Sequence, residues 1–145
     1  MEAKNLRIGN YIRPIQGNFE RSRMYTKDKE SFYSNNNCVM VTAKGLVDLE
    51  DNLIKIEPIP LTEDWLTKLG FDDSGYKPGY IGIDSRSSNG MITDFVITKP
   101  KHIGEWQNYY AFDLPSHRFC KFEYVHELQN LFNAITGHEL EFSQQ

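Results

Sequence analysis

The spacing of apolar residues near the C-terminal end predicts an amphipathic helix over Glu123–Gly137. At helical spacing the apolar positions fall within an arc of about 120°, the width of a stripe that faces a core. Polar residues, among them His126 and Gln129, occupy the other side. Gly137 suits the residue that ends a helix, and Leu140 follows as its hydrophobic contact. Because one helix cannot bury such a stripe alone, the rest of the chain must supply a surface for it. The stripe consists of Tyr124, Val125, Leu128, Leu131, Phe132 and Ile135.

The segment from residue 71 to residue 122 predicts an antiparallel β-meander. Its short apolar runs are separated by turn residues, and Asn89-Gly90 is a strong hairpin signal. We expect the C-terminal helix to lie across one face of this sheet. The predicted strands are Tyr80–Asp84, Met91–Thr98, Ile103–Leu114 and Arg118–Phe122.

Short strand-like runs also occur in the N-terminal half, at Leu6–Arg13, Cys38–Thr42 and Leu53–Glu57. Their Gly, Asn and Pro punctuation is typical of a small, strongly bent sheet or partial barrel. Between them, Phe19–Asn37 is expected to be a hairpin arm or a long loop. We expect Ala43–Asp51 to form a turn or a single helical turn.

A short middle helix is predicted after Thr62, which is a good N-cap. Glu63 and Asp64 suit the positive end of the helix dipole, and Gly70 ends the helix. The predicted fold is therefore α+β: a bent N-terminal β-sheet or partial barrel, a short middle helix, and an antiparallel β-meander covered by a C-terminal amphipathic helix. The length of 145 residues suits a single compact domain, 1–145, with a subdivision into 1–60 and 61–145 as the alternative.

Composition excludes several classes of protein. With 39% hydrophobic and 25% charged residues, the chain is expected to be globular. The net charge of -4 argues against broad coating of DNA or an anionic membrane, but leaves room for a local basic patch. No apolar run approaches the roughly 20 residues of a membrane helix. The first residues also lack the basic stretch followed by an apolar stretch that marks a secretion signal, so we expect a cytoplasmic protein. Cys38 and Cys120 are too few for a disulfide scaffold, and buried thiols are expected.

Three stretches resemble small hypothetical proteins of bacterial phages and prophages. They are Leu6–Asn10, Glu57–Phe71 with the motif Pro-Ile-Pro-Leu-Thr-Glu-x-Trp-Leu, and Tyr124–Leu140 with the motif Tyr-Val-His-x-Leu-Gln-Asn-Leu. Their order and spacing match, so the resemblance covers most of the chain outside 14–40 and 72–118. It implies a phage setting, and hence the cytoplasm of a bacterial host. It implies no reaction and carries over no catalytic residue.

Sequence motifs for catalysis or metal binding are missing. Neither a Gly-x-Ser-x-Gly elbow nor a glycine-rich phosphate loop occurs. His117 and Cys120 are three residues apart, so in a straight strand they face opposite sides. Glu123 and His126 have the spacing of half a di-iron site, but no second such motif accompanies them. We therefore predict no metal, no cofactor and no enzymatic activity.

A basic and aromatic segment between residues 21 and 33 is the strongest functional candidate. Arg and Lys hold phosphates, Arg through a bidentate fork, and exposed aromatic rings stack on bases. A second group of aromatic and basic residues lies between residues 106 and 118. The alternative, which the usual behaviour of charged loops and core aromatics favours, is a solvated arm and an ordinary sheet face. The candidate ligand-binding residues are Arg21, Arg23, Tyr25, Lys27, Tyr33, Trp106, Tyr109, His117 and Arg118.

These features predict a non-catalytic binding protein of the phage type, which sequesters a phosphorylated small ligand such as a nucleotide signal of host defence. Two alternatives stay open: a protein–protein adaptor or inhibitor of a host factor, and a module that binds single-stranded nucleic acid. The expected partners are thus a nucleotide-like small molecule or a host protein, and no membrane. Because sequestering proteins often bind at subunit interfaces, a homo-oligomer is favoured.

Overall fold

The computed structural model describes residues 1–86, 92–100, 109–114 and 118–143. Contacts divide the chain into two compact units. The N-terminal unit comprises Met1–Pro60 with Tyr124–His126, and the C-terminal unit comprises Leu61–Glu123 with Glu127–Gln145. The prediction of a single domain over 1–145 stays a prediction.

The N-terminal unit is built on an antiparallel sheet of three strands in the order β2-β1-β3. Within the described residues this sheet is open and forms no closed barrel. Its elements are a 3-10 turn at Ala3–Asn5, β1 at Tyr11–Gly17, α1 at Glu30–Asn35, β2 at Val39–Met40, α2 at Ala43–Glu50 and β3 at Ile54–Glu57.

The central strand β1 is bent by a register shift between Pro14 and Gln16. Such a bulge leaves one extra residue unpaired and increases the local twist. Pro14 is tolerated in this central strand because β2 pairs only with Tyr11 and Ile12, so no neighbouring strand needs the missing N–H on that side. The predicted bent N-terminal sheet is therefore confirmed.

Two predictions for the N-terminal unit are wrong in detail. The segment 19–37, predicted as a hairpin arm or long loop, contains the short helix α1, and 43–51, predicted as a turn or a single helical turn, contains the eight-residue helix α2. Thr42 stabilises α2 as its N-cap, because its Oγ1 accepts a hydrogen bond of 3.0 Å from the N–H of Gly45. The core beside these elements contains Ile12, Phe19, Met24, Val39, Val41, Ile54 and Ile56.

The C-terminal unit contains a four-stranded antiparallel sheet in the order β4-β5-β6-β7, which confirms the predicted meander and the α+β class. The helix α3 precedes it, capped by Thr62, whose Oγ1 accepts a hydrogen bond of 3.3 Å from the N–H of Trp65. The helix α4 follows it, and Phe132 packs on Phe95 of β5 with ring centroids 5.2 Å apart. Element bounds are α3 Glu63–Lys68, β4 Tyr80–Arg86, β5 Ile92–Thr98, β6 Tyr110–Leu114, β7 Arg118–Phe122 and α4 Val125–Thr136.

The buried side of α4 differs from the predicted stripe. Gln129 and His126 are buried, whereas Ile135 is half exposed. The burial of Gln129 comes from the segment after α4, which turns back at Gly137, where φ is 74°. It places Leu140 against the helix, and the Gln129 side-chain amide donates a hydrogen bond of 3.0 Å to the Leu140 carbonyl. A polar residue can be buried there because its amide has this partner.

Candidate functional site

The basic loop is defined here as residues 18–29, and overlapping turn hydrogen bonds hold its first part, residues 18–24. The N–H of Arg21 donates to Oδ1 of Asn18 at 2.9 Å. The N–H groups of Arg23 and Met24 donate to the carbonyls of Glu20 and Phe19, both at 2.9 Å. Arg23 adopts the left-handed conformation, with φ of 57°, which reverses the chain direction.

Alternate residues of this loop attach it to α2. The hydroxyl of Ser22 donates a short hydrogen bond to the carboxylate of Asp48, and the hydroxyl of Thr42 donates to the carbonyl of Ser22 at 2.6 Å. Met24 is buried against Gly45, where a Cβ atom would lie only 2.0 Å from Cε of the methionine. Because Ser22 and Met24 are buried, the neighbouring cationic side chains are left on the exposed surface.

Asp48 is the buried charge that fixes this attachment. Its side chain is 3% exposed, although it is ionisable, and Nζ of Lys44 lies 2.5 Å from one of its oxygens. The hydrogen bonds from Lys44 and Ser22 hold the pKa of Asp48 below its usual range, and the positive charge of Arg21 contributes in the same direction. At neutral pH the carboxylate is therefore ionised and accepts both hydrogen bonds.

Three cations of the predicted site, Arg21, Arg23 and Lys27, are all exposed along the basic loop, and Lys29 is exposed at its end. The structure thus leaves these cations of the predicted site on the surface of one segment. Their guanidinium and ammonium groups are available to an anion in solution.

The aromatic half of this site is arranged differently. Tyr33 is only 2% exposed and lies between Tyr11 and Tyr25, with ring centroids 6.4 and 6.5 Å away, so it offers no face for stacking. Phe32, which precedes it on α1, is 43% exposed. Tyr25 is half-buried, and burial raises the pKa of its hydroxyl, with the charges of Cys38 and Glu30 adding to the effect. Phe32 is therefore the most exposed of these three rings.

The second predicted group belongs to the C-terminal unit. Tyr109 is half-buried, and Nζ of Lys121 lies 4.4 Å from the centroid of its ring, a cation–π contact that occupies one ring face. Trp106 and His117 lie outside the described residues. Arg118 begins β7, and its side chain is outside the described part.

Lys99 lines a groove of about 420 Å³ in the C-terminal unit. Its Nζ lies 2.9 Å from a carboxylate oxygen of Glu63 and 3.1 Å from one of Asp73. Hydrogen bonds to Glu63 and Asp73 raise the pKa of Lys99, so its amine is protonated at neutral pH and is not nucleophilic. Neighbouring Tyr110 is buried, and burial raises its hydroxyl pKa. This arrangement joins the start of α3, the loop before β4 and the end of β5.

A larger groove lies beside β3 in the N-terminal unit. It has a volume of about 570 Å³, and both apolar and charged residues line it. Its apolar walls include Ile15, Leu49, Ile54 and Ile56. We call it the β3 groove. Sequence periodicity gives no signal for it, because its walls come from four separate segments of the chain.

Metal-ligand geometry is missing from the described residues: among them, no three His, Cys, Asp or Glu side chains are placed to hold an ion together. The Glu123 and His126 pair serves local structure. The N–H of Glu123 donates to Oε2 of Glu127 at 2.9 Å. His126 is buried, and its ring stacks on that of Tyr124 with the ring centroids 5.9 Å apart. The described helices include none with the length and apolar character needed to cross a bilayer.

Comparison of the chain with protein-family models, with curated proteins and with solved structures gives no match.

Proposed function

We propose that the chain is a non-catalytic binding protein that captures a phosphate-bearing small ligand on the basic loop. The observation that supports this most directly is the attachment of the loop to α2 through Ser22 and Met24. A loop that is already ordered loses less conformational entropy on binding than a free loop does. The exposed cations Arg21 and Arg23 are thus presented on a fixed backbone, and exposed Lys27 follows on the same loop.

The chemistry of these side chains favours phosphate oxygens. Two guanidinium groups offer planar, bidentate donors, and Lys27 adds a point charge. Phe32, exposed on α1, offers an aromatic face in the same segment of the chain. The combination suits a nucleotide, in which phosphate and base require those two kinds of contact.

The resemblance of Glu57–Phe71 and Tyr124–Leu140 to phage and prophage proteins narrows this proposal. Phages carry small proteins that capture host defence factors, including nucleotide signals. We therefore include in the proposal a phage origin, the bacterial cytoplasm as the place of action, and sequestration of a defence nucleotide as the role.

Calorimetric titration of the purified chain with cyclic and linear nucleotides tests the site. The variant carries Arg21→Ala, Arg23→Asn and Lys27→Ala; Asn is chosen at position 23 because it tolerates the left-handed backbone there. We expect at least a roughly tenfold loss of affinity, since one hydrogen bond to a charged group contributes about 1.5–3 kcal/mol.

The matched control is Lys77→Ala, which removes an exposed cation from the C-terminal unit and should leave affinity unchanged. If the triple variant binds its nucleotide as tightly as the parent chain, the assignment of the basic loop is wrong. Binding of single-stranded nucleic acid with a steep salt dependence would replace the small-ligand proposal with a nucleic-acid one.

A second candidate function, a protein–protein adaptor or inhibitor, is favoured by one observation. Among the described residues seven large hydrophobic side chains are exposed, and six of them belong to the N-terminal unit. Exposed apolar surface of this kind marks protein-binding sites when its residues form a contiguous patch. The six are Met1, Ile8, Ile15, Phe32, Val47 and Leu53.

This candidate is tested by affinity capture from host lysate with the parent chain and with the Ile15→Ser, Leu53→Ser double variant. Capture of one protein by the parent alone would support it. Equal capture by both would exclude this surface.

A further inference from the structure

The outer edge of β3 lacks a paired strand among the described residues, because β3 is the last strand in the order β2-β1-β3. Pro14 of β1 lies opposite Ile56. Proline has no N–H, so this is a pair whose main-chain groups point away from the opposing strand. The N–H and C=O of Ile56, and by alternation those of Ile54, therefore face the open edge. No other backbone group of the described chain bonds to them there.

Side chains along β3 alternate between two faces. Ile54 and Ile56 are buried on the inner face, whereas Lys55 is exposed and Glu57 half-buried on the outer face. Glu57 also accepts a hydrogen bond of 2.9 Å from Nη1 of Arg13, which holds its carboxylate on that face. An edge strand with one positive and one negative residue on the same face is self-complementary.

We propose that a second copy of this chain docks on β3, with the two β3 strands antiparallel about a twofold axis at Ile56. In this register Lys55 lies opposite the partner's Glu57, and Glu57 lies opposite the partner's Lys55. The outward N–H and C=O of Ile56 meet the same groups of the partner's Ile56 as a hydrogen-bonded pair. The proposal is independent of the ligand proposed for the basic loop.

Charge disfavours the two registers whose axis lies one residue to either side of Ile56. An axis at Lys55 places two ammonium groups opposite each other, and an axis at Glu57 places two carboxylates opposite each other. Directly opposed like charges destabilise an antiparallel pair, whereas opposite charges stabilise it. A lysine on an edge strand ordinarily discourages pairing, but here the opposing glutamate removes that effect.

Apolar surface beside the edge completes the contact. Pairing of two four-residue strands covers less than the roughly 1,200 Å² of a specific interface, so more contact is required. The β3 groove runs along the same strand, and the adjacent side chains of Ile15 and Leu53 are 58% and 56% exposed. The partner's equivalent residues supply a matching apolar surface by symmetry.

The test uses the full chain in native mass spectrometry and sedimentation, with the variants Lys55→Glu and Glu57→Lys. The parent should show a dimer of twice the 16.9 kDa chain mass. Each variant alone opposes like charges and should dissociate at least tenfold more readily, whereas an equimolar mixture of the two should form a heterodimer with both charge pairs restored. Lys77→Glu, which makes the same charge change on the C-terminal unit, should dimerise like the parent.

A monomeric parent, variants that dimerise like the parent, or a mixture that stays monomeric would each overturn the proposal. Because Glu57→Lys also removes the bond to Arg13, the fold of this variant is checked by circular dichroism. If this variant does not fold, the comparison of Lys55→Glu with its control Lys77→Glu decides the outcome alone. A second readout is amide exchange at Ile56, which should slow as the protein concentration is raised, and concentration-independent exchange there would contradict strand pairing.

Discussion

The contact between Met24 and Gly45 gives the sharpest prediction about how the basic loop is held. Gly45→Ala places a methyl group 2.0 Å from Cε of Met24, a distance that requires the methionine to move. Met24 is fully buried, so it has little space to do so. Met24→Ala removes the obstacle, and the two substitutions should therefore interact strongly.

The magnitudes can be set from these contacts. Met24→Ala should cost about 2–5 kcal/mol, as for other buried methionines. Gly45→Ala alone should raise the free energy of unfolding by up to about 1 kcal/mol through helix propensity and lower it by about 1–3 kcal/mol through overpacking. The net change should be a loss of about 1 kcal/mol. In the Met24→Ala background the same change should stabilise by about 1 kcal/mol, which gives a coupling energy of about 2 kcal/mol.

Urea denaturation of the parent, both single variants and the double variant measures this coupling. Far-UV circular dichroism is the suitable signal, because both tryptophans, at positions 65 and 106, lie outside residues 1–60. If the changes in unfolding free energy of the two single variants add up to that of the double variant within about 0.5 kcal/mol, the packing of the loop on α2 is refuted. A stabilised Gly45→Ala single variant would refute it as well.

Three further predictions concern the buried polar contacts. Because the folded-state pKa of Asp48 is lowered from an unfolded value of about 3.9, its carboxylate stabilises the fold above that pH, and this stabilisation disappears as the pH falls through the folded-state pKa. Asp48→Asn should therefore lower the urea midpoint at neutral pH and flatten its decline in acid; an unchanged pH profile would contradict the role of Asp48. Gln129→Leu leaves the Leu140 carbonyl without its donor and should cost about 1–3 kcal/mol in thermal unfolding followed by tryptophan fluorescence, whereas an unchanged midpoint would mean that the tail is held by other contacts. Lys99→Met should lower the free energy of unfolding in urea by less than about 1 kcal/mol, and by less still at high salt, since its partners Glu63 and Asp73 are 64% and 65% exposed. A larger, salt-independent loss would show that the ion pairs contribute more stability than their exposure indicates.

Local signals in the sequence predicted several elements correctly. Thr62 caps α3, and Gly137 ends α4 with a positive φ, because both roles depend on the properties of one residue in its immediate surroundings. The alternating runs between residues 80 and 122 predicted the antiparallel meander for a similar reason, since strand alternation is a short-range pattern.

Tertiary contacts account for most of what the sequence did not predict. Gln129 is polar, yet it is buried because Leu140 returns from eleven residues away to accept its hydrogen bond. Tyr33 and Phe32 are adjacent in sequence, and only the packing of Tyr33 against Tyr11 and Tyr25 decides which ring stays exposed. No periodicity contains such information.

The candidate site shows the same limit. The positive charges between residues 21 and 29 are visible in the sequence. Their attachment to α2 depends on Asp48, which lies twenty-six residues from Ser22. Because that contact is long-range, a charged segment and a fixed binding loop look alike until the fold is known.

Native mass spectrometry tests the central claim, capture of a phosphate-bearing ligand by the basic loop, most directly. The chain is purified from cells, weighed, and weighed again after incubation with cyclic and linear nucleotides, beside the variant with Arg21→Ala, Arg23→Asn and Lys27→Ala. We predict a bound mass that matches a nucleotide, is released unchanged on denaturation, and is missing from the triple variant. A parent chain that carries no added mass and takes up no nucleotide would contradict the claim and leave the protein partner as the function to pursue.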